Sequence, residues 1–271
     1  MGGTDAGEGP GLGEIDTSVA HPARVYDAWL GGKDHFAADR EAAEEVKKLH
    51  PGIVPGVRYN RAFLVRAVRW LAAEAGIRQF LDLGTGLPSA NNVHEVAQGV
   101  DPQARVVYVD FDPIVLVHAR ALLQGTPGTV AYVQGDVRDV GSVLARAGAT
   151  LDLTQPVAVM LLATLQFVPD DDDPHRLVRD YLAAVPSGSH LVVSHPAVDP
   201  ASPGASVGIE RYNELVATKM TRRPAERIAA FFDGLDLVEP GVVPMTRWRP
   251  GPGDDVPERP EPTLCGVARK P

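Results

Sequence analysis

Three observations predict an α/β fold with an open, doubly wound sheet. The first is the run Phe80-Leu-Asp-Leu-Gly-Thr-Gly-Leu-Pro-Ser89. Phe80 to Leu83 reads as a short buried strand. Gly84 and Gly86 permit a tight turn, with no Cβ to keep a ligand off the backbone. Pro88 and Ser89 read as the start of a helix through Asn91 to about Gln98, because proline suits the first helical position. The second observation is Val106-Val-Tyr-Val-Asp110, a strand that ends in an acid 28 positions after Asp82. The third is the strand-like run Thr129 to Val133, which leads into Gln134-Gly-Asp136. A glycine turn, an acid and a Gly-Asp pair at the ends of successive strands would line one crevice, where ligands bind in open α/β sheets. A carboxylate at Asp110 could accept both hydroxyls of a ribose. A dinucleotide fingerprint needs a third glycine where this chain has Ser89, which disfavours NAD.

The rest of the chain fits that frame. Met1 to Gly13 is glycine-rich with almost nothing to bury, and is expected to be disordered. Val25, Ala28 and Trp29 repeat at helical spacing, and Gly31-Gly32 would end that helix. Asp39 is read as the cap of the next helix. There Ala42, Ala43, Val46 and Leu49 form one face, and Glu44 and Lys48 a supporting pair. A loop is expected through Pro51-Gly52 and Pro55-Gly56. Asn60 then caps a helix with Phe63, Leu64, Ala67, Val68 and Leu71 inward, and Arg61, Arg66 and Arg69 outward.

After Asp110, Asp112-Pro113 starts a helix through Val117, Ala121 and Leu122, and Gly125 to Gly128 makes a turn. Val140 to Ala147 is a short helix. Pro156 to Leu162 is an unbroken apolar run, as a central parallel strand requires. Asp173-Pro174 caps a helix to Val185, and His190 to Ser194 is a strand. Ser202 to Ser206 is read as loop, Glu210 to Lys219 and Pro224 to Phe232 as helices. Leu235 to Val243 is strand-like, and Leu264 to Arg269 closes the chain. That makes about seven strands, helix-linked up to the fifth, with a final hairpin-like pair.

The composition excludes several classes. The 271 residues are 44% hydrophobic and 23% charged, which suits one large globular domain or a domain with an appendage. No apolar run has membrane length and no basic-apolar signal opens the chain, so a soluble, cytoplasmic protein is expected. One cysteine, Cys265, excludes an internal disulfide. A net charge of −9 disfavours bulk attraction to nucleic acid or an anionic membrane. The eight histidines form no ligand-spaced cluster, and Asp170 to Asp173 is read as a solvated loop, so no metal is expected. No Gly-x-Ser-x-Gly elbow supports a serine hydrolase.

Leu81-Asp-Leu-Gly-Thr-Gly86, Tyr108-Val-Asp110 and Gly135-Asp136 together resemble the motifs of class I S-adenosylmethionine-dependent methyltransferases. The opening resembles one actinobacterial S-adenosyl methyltransferase family, formerly a domain of unknown function. The residues are Ile15-Asp-Thr-Ser-Val-Ala-His-Pro-Ala-Arg-Val-Tyr-Asp27, Leu30-Gly-Gly-Lys-Asp34 and Phe36-Ala-Ala-Asp-Arg40. The likeness continues through Asn60-Arg-Ala-Phe63, Asp112-Pro113, Phe167-Val-Pro169, Gly188-Ser-His-Leu-Val192 and Arg247-Trp-Arg-Pro250.

This resemblance implies a Rossmann-like, seven-stranded, mostly parallel sheet with its last strand antiparallel. It divides the chain into residues 14–76, a helical cap or lid, and 77–271, the Rossmann-like domain. It implies S-adenosyl-L-methionine as cofactor and S-adenosyl-L-homocysteine as product, but no particular acceptor; a small molecule is expected, and the acidic net charge disfavours a nucleic acid.

The implied roles follow the motifs. Gly84, Thr85 and Gly86 pass along the methionine part, and Asp82 faces its cationic end or simply forms the turn. Asp110 binds the ribose, with Phe111 and Asp112 flanking the adenosine. Asp136 and Val137 read the adenine. Leu162, Ala163 and Thr164 border the sulfonium. Tyr26, Lys33 and Asn60 are lid candidates, against the alternative of a packed helix pair with surface charges. No general base is assigned; Tyr26 and the neighbourhood of Gln166 are the only names. A non-catalytic S-adenosylmethionine binder therefore stands beside the enzyme as an alternative.

Overall fold

The computed structural model describes residues 16–115, 128–259 and 261–271. Its centre is an eight-stranded sheet. The strands are β1 (Gln79–Leu83), β2 (Arg105–Asp110), β3 (Val130–Gln134), β4 (Ala158–Leu162), β5 (His190–Pro196), β6 (Asp236–Leu237), β7 (Val243–Pro244) and β8 (Thr263–Arg269). Their order is β3-β2-β1-β4-β5-β8-β6, with β7 also on β8. β1 to β5 run parallel and β8 lies antiparallel to β5. The chain runs outward from β1 to β3 and returns to β4 on the other side of β1. The crevice at the carboxyl ends of β1 and β4 is therefore a topological switch point.

The mostly parallel sheet with an antiparallel close is as expected. The strand count is one higher, because the run from Leu235 to Val243 is not continuous. Gly241, at φ +85°, turns the chain between two short pieces that pair with β8 separately.

β1 and β4 are buried along their whole length, as strands covered on both faces must be. Alternate side chains separate into two cores. Leu81, Leu83, Val107 and Val159 pack against α5 (Val140–Ala147) and α6 (Pro174–Ala183). Phe80, Tyr108, Met160 and Val192 pack against α3 (Ile53–Ala73) and α4 (Val93–Gln98). A third core joins α1 (Pro22–Leu30), α2 (Ala37–Leu49) and α7 (Pro203–Leu215) through Val25, Trp29, Ala43, Val46 and Tyr212. The short α8 (Ala225–Ala229) precedes β6.

Several local expectations are corrected. α4 begins only at Val93; Pro88 and Ser89 stay in the loop, where Asn91 has φ +59°. Asp39 sits in the first turn of α2 rather than at its cap, and takes the backbone N–H of Phe36 (2.8 Å) and of His21 (2.9 Å). Leu49 is 41% exposed rather than facing the core. The supporting pairs are Glu44–Lys47 and Glu45–Lys48, three residues apart. α3 starts at Ile53, runs through Pro55-Gly56 and places Asn60 two turns inside, so Asn60 caps nothing. α7 starts at Pro203, within the expected loop, and ends at Leu215. The expected disorder of Met1 to Gly13, the helix beyond residue 115 and the turn over 125–127 lie outside the described residues. Among the described residues no helix is long and apolar enough to cross a membrane.

Asp173 does cap α6, accepting from Arg176 N–H at 3.0 Å. Asp170 is exposed, as expected of a solvated segment, but it also pairs with a buried cation. It accepts from Arg223 Nε (3.0 Å) and Nη2 (2.7 Å), and Arg223 is buried. Arg223 also donates to Leu165 O, to Val168 O and to His195 Nε2 at 2.7 Å. A guanidinium only donates, so His195 must be neutral with its proton on Nδ1, which faces Pro196 O at 2.9 Å.

Burial pushes His195 down to about 3 and His190 to about 4. The unfolded chain therefore takes up these protons first. Their contribution to stability is complete above about pH 6.5 and is lost as pH falls toward 3. We expect His195→Gln, which keeps an acceptor for Arg223, to flatten the fall in stability between pH 6 and 4. The change should be up to about 1.4 kcal/mol per pH unit. Urea denaturation across that range measures it, and parallel slopes would refute it.

Candidate functional site

The turn after β1 is stitched to the end of β2. Gly84 and Thr85 N–H donate to Val109 O (2.8 and 3.1 Å), and Gly86 N–H donates to Asp110 Oδ2 (2.8 Å). Gly84 has φ +71° and Gly86 φ +68°. A Cβ on Gly84 would stand 2.5 Å from Thr164 Cγ2. Thr164 is held there because its hydroxyl donates to Leu83 O at 2.7 Å. At Gly86 a Cβ would meet nothing nearer than Ala23 Cβ at 4.0 Å, so that part of the turn has open floor.

The three acids differ. Asp82 is buried, and burial pushes its carboxyl up to about 6, with a hydrogen bond from Thr85 and the charge of Arg61 acting the other way. Asp110 is also buried, which raises its pKa; its second oxygen accepts from Asp112 N–H at 3.0 Å. Asp136 is half-exposed and ion-paired to Arg138, whose hydrogen bonds hold its carboxyl low. Arg138 in turn reaches Asp172 at 2.9 Å.

Opposite the turn, β4 ends in Leu162, Ala163 and Thr164. Ala163 has φ +52°, a left-handed conformation that costs a non-glycine residue about 1–2 kcal/mol. It is held by N–H donation to Ser194 O (3.1 Å) and Ser194 Oγ (3.0 Å). The Ser194 hydroxyl donates to Asn60 Oδ1 at 2.7 Å. Asn60 Nδ2 donates to Tyr26 Oη at 3.0 Å, and that hydroxyl donates to Val57 O at 3.2 Å. One buried chain of hydrogen bonds thus ties the ends of β4 and β5 to α3 and α1. Burial raises the Tyr26 phenol's pKa, and its proton is already engaged, which makes it a poor base.

All residues expected at the site line one cavity of about 360 Å³ except Lys33 and Asp112. Lys33 is exposed in the turn after α1. Asp112 faces His21 Nδ1 at 3.0 Å, with Arg24 at 3.9 Å, and so fastens the start of α1 to the end of β2. Phe111 stands at the rim, 51% exposed, with its ring 4.9 Å from that of His21.

Sequence reasoning missed Ser194 and misassigned two arginines. Arg61 donates to Ala90 O and Asn91 O and pins the loop before α4; Arg66 donates to Trp248 O and Met245 O. Among the described residues no group of three or more His, Cys, Asp or Glu stands together to hold a metal.

The fold is that of an open α/β protein with a cavity at its switch point. The family described as S-adenosyl methyltransferase matches residues 10–271. A crystal structure of a DUF574-family protein from Streptomyces avermitilis is 43% identical, with a TM-score of 0.91; the match covers 95% of this chain and 100% of that one. A provisionally assigned methyltransferase from Thermobifida fusca is 42% identical, with a TM-score of 0.87, covering 94% and 96%. A methyltransferase dependent on S-adenosylmethionine from Anabaena variabilis shares the fold alone, at 12% identity and a TM-score of 0.52, covering 78% and 84%. No curated protein matches the chain. The chain belongs to the S-adenosyl methyltransferase family, whose members use S-adenosylmethionine as methyl donor.

Proposed function

We propose that this cavity binds S-adenosylmethionine and transfers its methyl group to a small molecule held under the N-terminal helices. The observation that carries the reading is the cradle itself. An open glycine turn, a buried acid on either side of it and a rim aromatic share one cavity at the switch point.

The residues suit the group. Asp110, with lone pairs left after accepting two N–H groups, takes the ribose hydroxyls. Phe111 offers an exposed ring to the adenine, and Asp136 and the Val137 backbone its edge. Asp82 provides negative charge for the ammonium end, and Gly84 to Gly86 leave room for the chain between. The bound donor supplies an electrophilic methyl on a sulfonium and leaves as S-adenosylhomocysteine. The protein's part is alignment and exclusion of water. Leu162, Ala163 and Thr164 would border the reacting centre, in a position fixed by Ser194 and Asn60.

The roof argues for a small acceptor. Residues of α1, α3, α7 and the segment 216–222 line the same cavity, which falls in the size range of small-molecule sites. In this reading residues 14–76 act as a lid and a cytoplasmic location follows from the donor. A non-catalytic donor-binding protein is a second reading, favoured by the engagement of the Tyr26 hydroxyl. The NAD alternative is set aside by family membership.

Calorimetric titration with S-adenosylmethionine, S-adenosylhomocysteine and NAD tests the donor site. The two sulfur nucleosides are expected to bind and NAD to give no heat. Failure of both nucleosides would overturn the reading. Release of S-adenosylhomocysteine with some member of an acceptor panel separates enzyme from sensor.

A further inference from the structure

We propose that the distal end of the cavity, at Glu261 and His50, is an acceptor-recognition subsite. It would select an elongated apolar molecule with a terminal hydrogen-bond donor, an amine or a hydroxyl. The assignment rests on the donor reading above, which fixes the other end of the cavity as the methyl-transfer site.

The middle of the cavity is apolar and aromatic. The Trp29 and Tyr212 rings lie 6.2 Å apart at 38°, and those of Phe167 and Tyr212 6.4 Å apart at 36°. All three line the cavity, with Ile209 and Met220. Trp29 spends its indole N–H on Ala43 O at 3.0 Å, so it offers the cavity only carbon. A wall of this kind suits a hydrophobic body; its polar atom is the buried Tyr212 hydroxyl, which has no partner among the described residues, and it carries no charge.

The anchor lies beyond it. Glu261 lines the same cavity with its side chain 25% exposed, and its neighbour is His50 Nε2 at 3.5 Å. That separation is too long for a good hydrogen bond. Arg222 lines the cavity too, but its guanidinium donates to Ala197 O and Ser206 Oγ, not to Glu261. Among the described residues no other side chain stands against this half-buried carboxylate as a hydrogen-bond donor, so it is open to a donor from a ligand. The backbone is shaped to receive it: a Cβ on Gly52 would fall 1.9 Å from Glu261 Oε1, so the carboxylate rests against the bare start of α3.

Distance separates recognition from chemistry. α3 lines the cavity from Gly52, beside Glu261, to Asn60, which is linked to Ala163 through Ser194. Eight residues of helix span about 12 Å. Glu261 and His50 are therefore too far from the end of β4 to take a proton from the methylated atom. They meet the opposite end of the acceptor, which must be about as long as that helical span. Burial, with the Arg222 charge, lowers the His50 pKa, and burial raises that of the Glu261 carboxyl, whose charge a hydrogen-bond donor on the ligand would stabilise.

The test uses four probes with one body: 4-phenylbutylamine, 4-phenylbutan-1-ol, 4-phenylbutyrate and butylbenzene. Each is titrated into the full chain, with and without S-adenosylhomocysteine. The amine or the alcohol is expected to bind about tenfold or more tighter than butylbenzene and the carboxylate, as one hydrogen bond to a charged group predicts. Glu261→Leu should abolish that preference. Glu261→Gln, similar in shape, separates the sources: it should weaken an amine and spare an alcohol. Failure of all four probes to bind, a preference for the carboxylate, or an unchanged preference in Glu261→Leu would overturn the subsite. S-adenosylhomocysteine is titrated separately. Failure of S-adenosylhomocysteine to bind with probe selectivity intact would refute the donor site, and with it the acceptor role, while leaving Glu261 as a ligand-recognition group.

Discussion

Asp110→Ala is expected to weaken S-adenosylhomocysteine binding by roughly 10²–10⁴-fold, from two hydrogen bonds to a charged acceptor at about 1.5–3 kcal/mol each. The carboxylate has two tasks in this fold. It holds the glycine turn through Gly86 N–H and the start of the next segment through Asp112 N–H. It also lines the cavity from the end of β2. Alanine removes both functions, whereas Asp110→Asn keeps one carbonyl acceptor and should retain part of the affinity. Calorimetry on the three proteins, with a denaturation curve for each in the absence of ligand, separates lost binding from lost folding. Affinity for Asp110→Ala within about threefold of the parent would sink the ribose assignment.

Gly84→Ala should destabilise the protein by about 2–5 kcal/mol, combining left-handed backbone strain with overpacking. The backbone there has φ +71°, and the new methyl would sit 2.5 Å from Thr164 Cγ2 and 2.7 Å from its Oγ1. Thr164 cannot simply withdraw, because its hydroxyl is bonded to Leu83 O. Thr164→Ser removes the methyl and keeps the hydroxyl, so the double variant should recover about 1 kcal/mol or more relative to the sum of the singles. Gly86→Ala is the control. It has a similar φ and no neighbour within contact range, so backbone strain alone of about 1–2 kcal/mol is expected. Urea denaturation of the set decides it; strictly additive effects at residues 84 and 164 would mean the clash is relieved some other way.

The parts legible in the sequence were those with a local signature. β1, β2 and β4 announced themselves as short apolar runs. Gly84, Gly86, Asp110 and Asp136 sat at strand ends, where an open sheet puts its crevice. α5 was legible to the residue, as the short helix Val140 to Ala147. The failures share a cause. Asn60 was read as a cap because asparagine favours that position, but tertiary packing carried α3 through Pro55-Gly56 and turned Asn60 into a bridge to Ser194. Pro88 was read as a helix start, yet Arg61 holds the following loop open from another element. Asp170 is solvated as read, but its pairing with Arg223 went unread, because that partner lies 53 residues away.

The sequence by itself determined the class of fold, the strands that carry the crevice, and the family with its methyl donor. The fold class and the crevice depend on periodicity, on glycine's conformational freedom and on acids at strand ends, each a local signature; the family and its donor are what the resemblance of the motifs implies. Only the tertiary structure decided how the site is closed. The Ala163–Ser194–Asn60–Tyr26 chain, the aromatic wall of Trp29, Phe167 and Tyr212, and the carboxylate of Glu261 at the start of α3 each join residues far apart in the chain. Contacts of that kind follow from which faces the helices bury against one another, and they leave no local pattern to read.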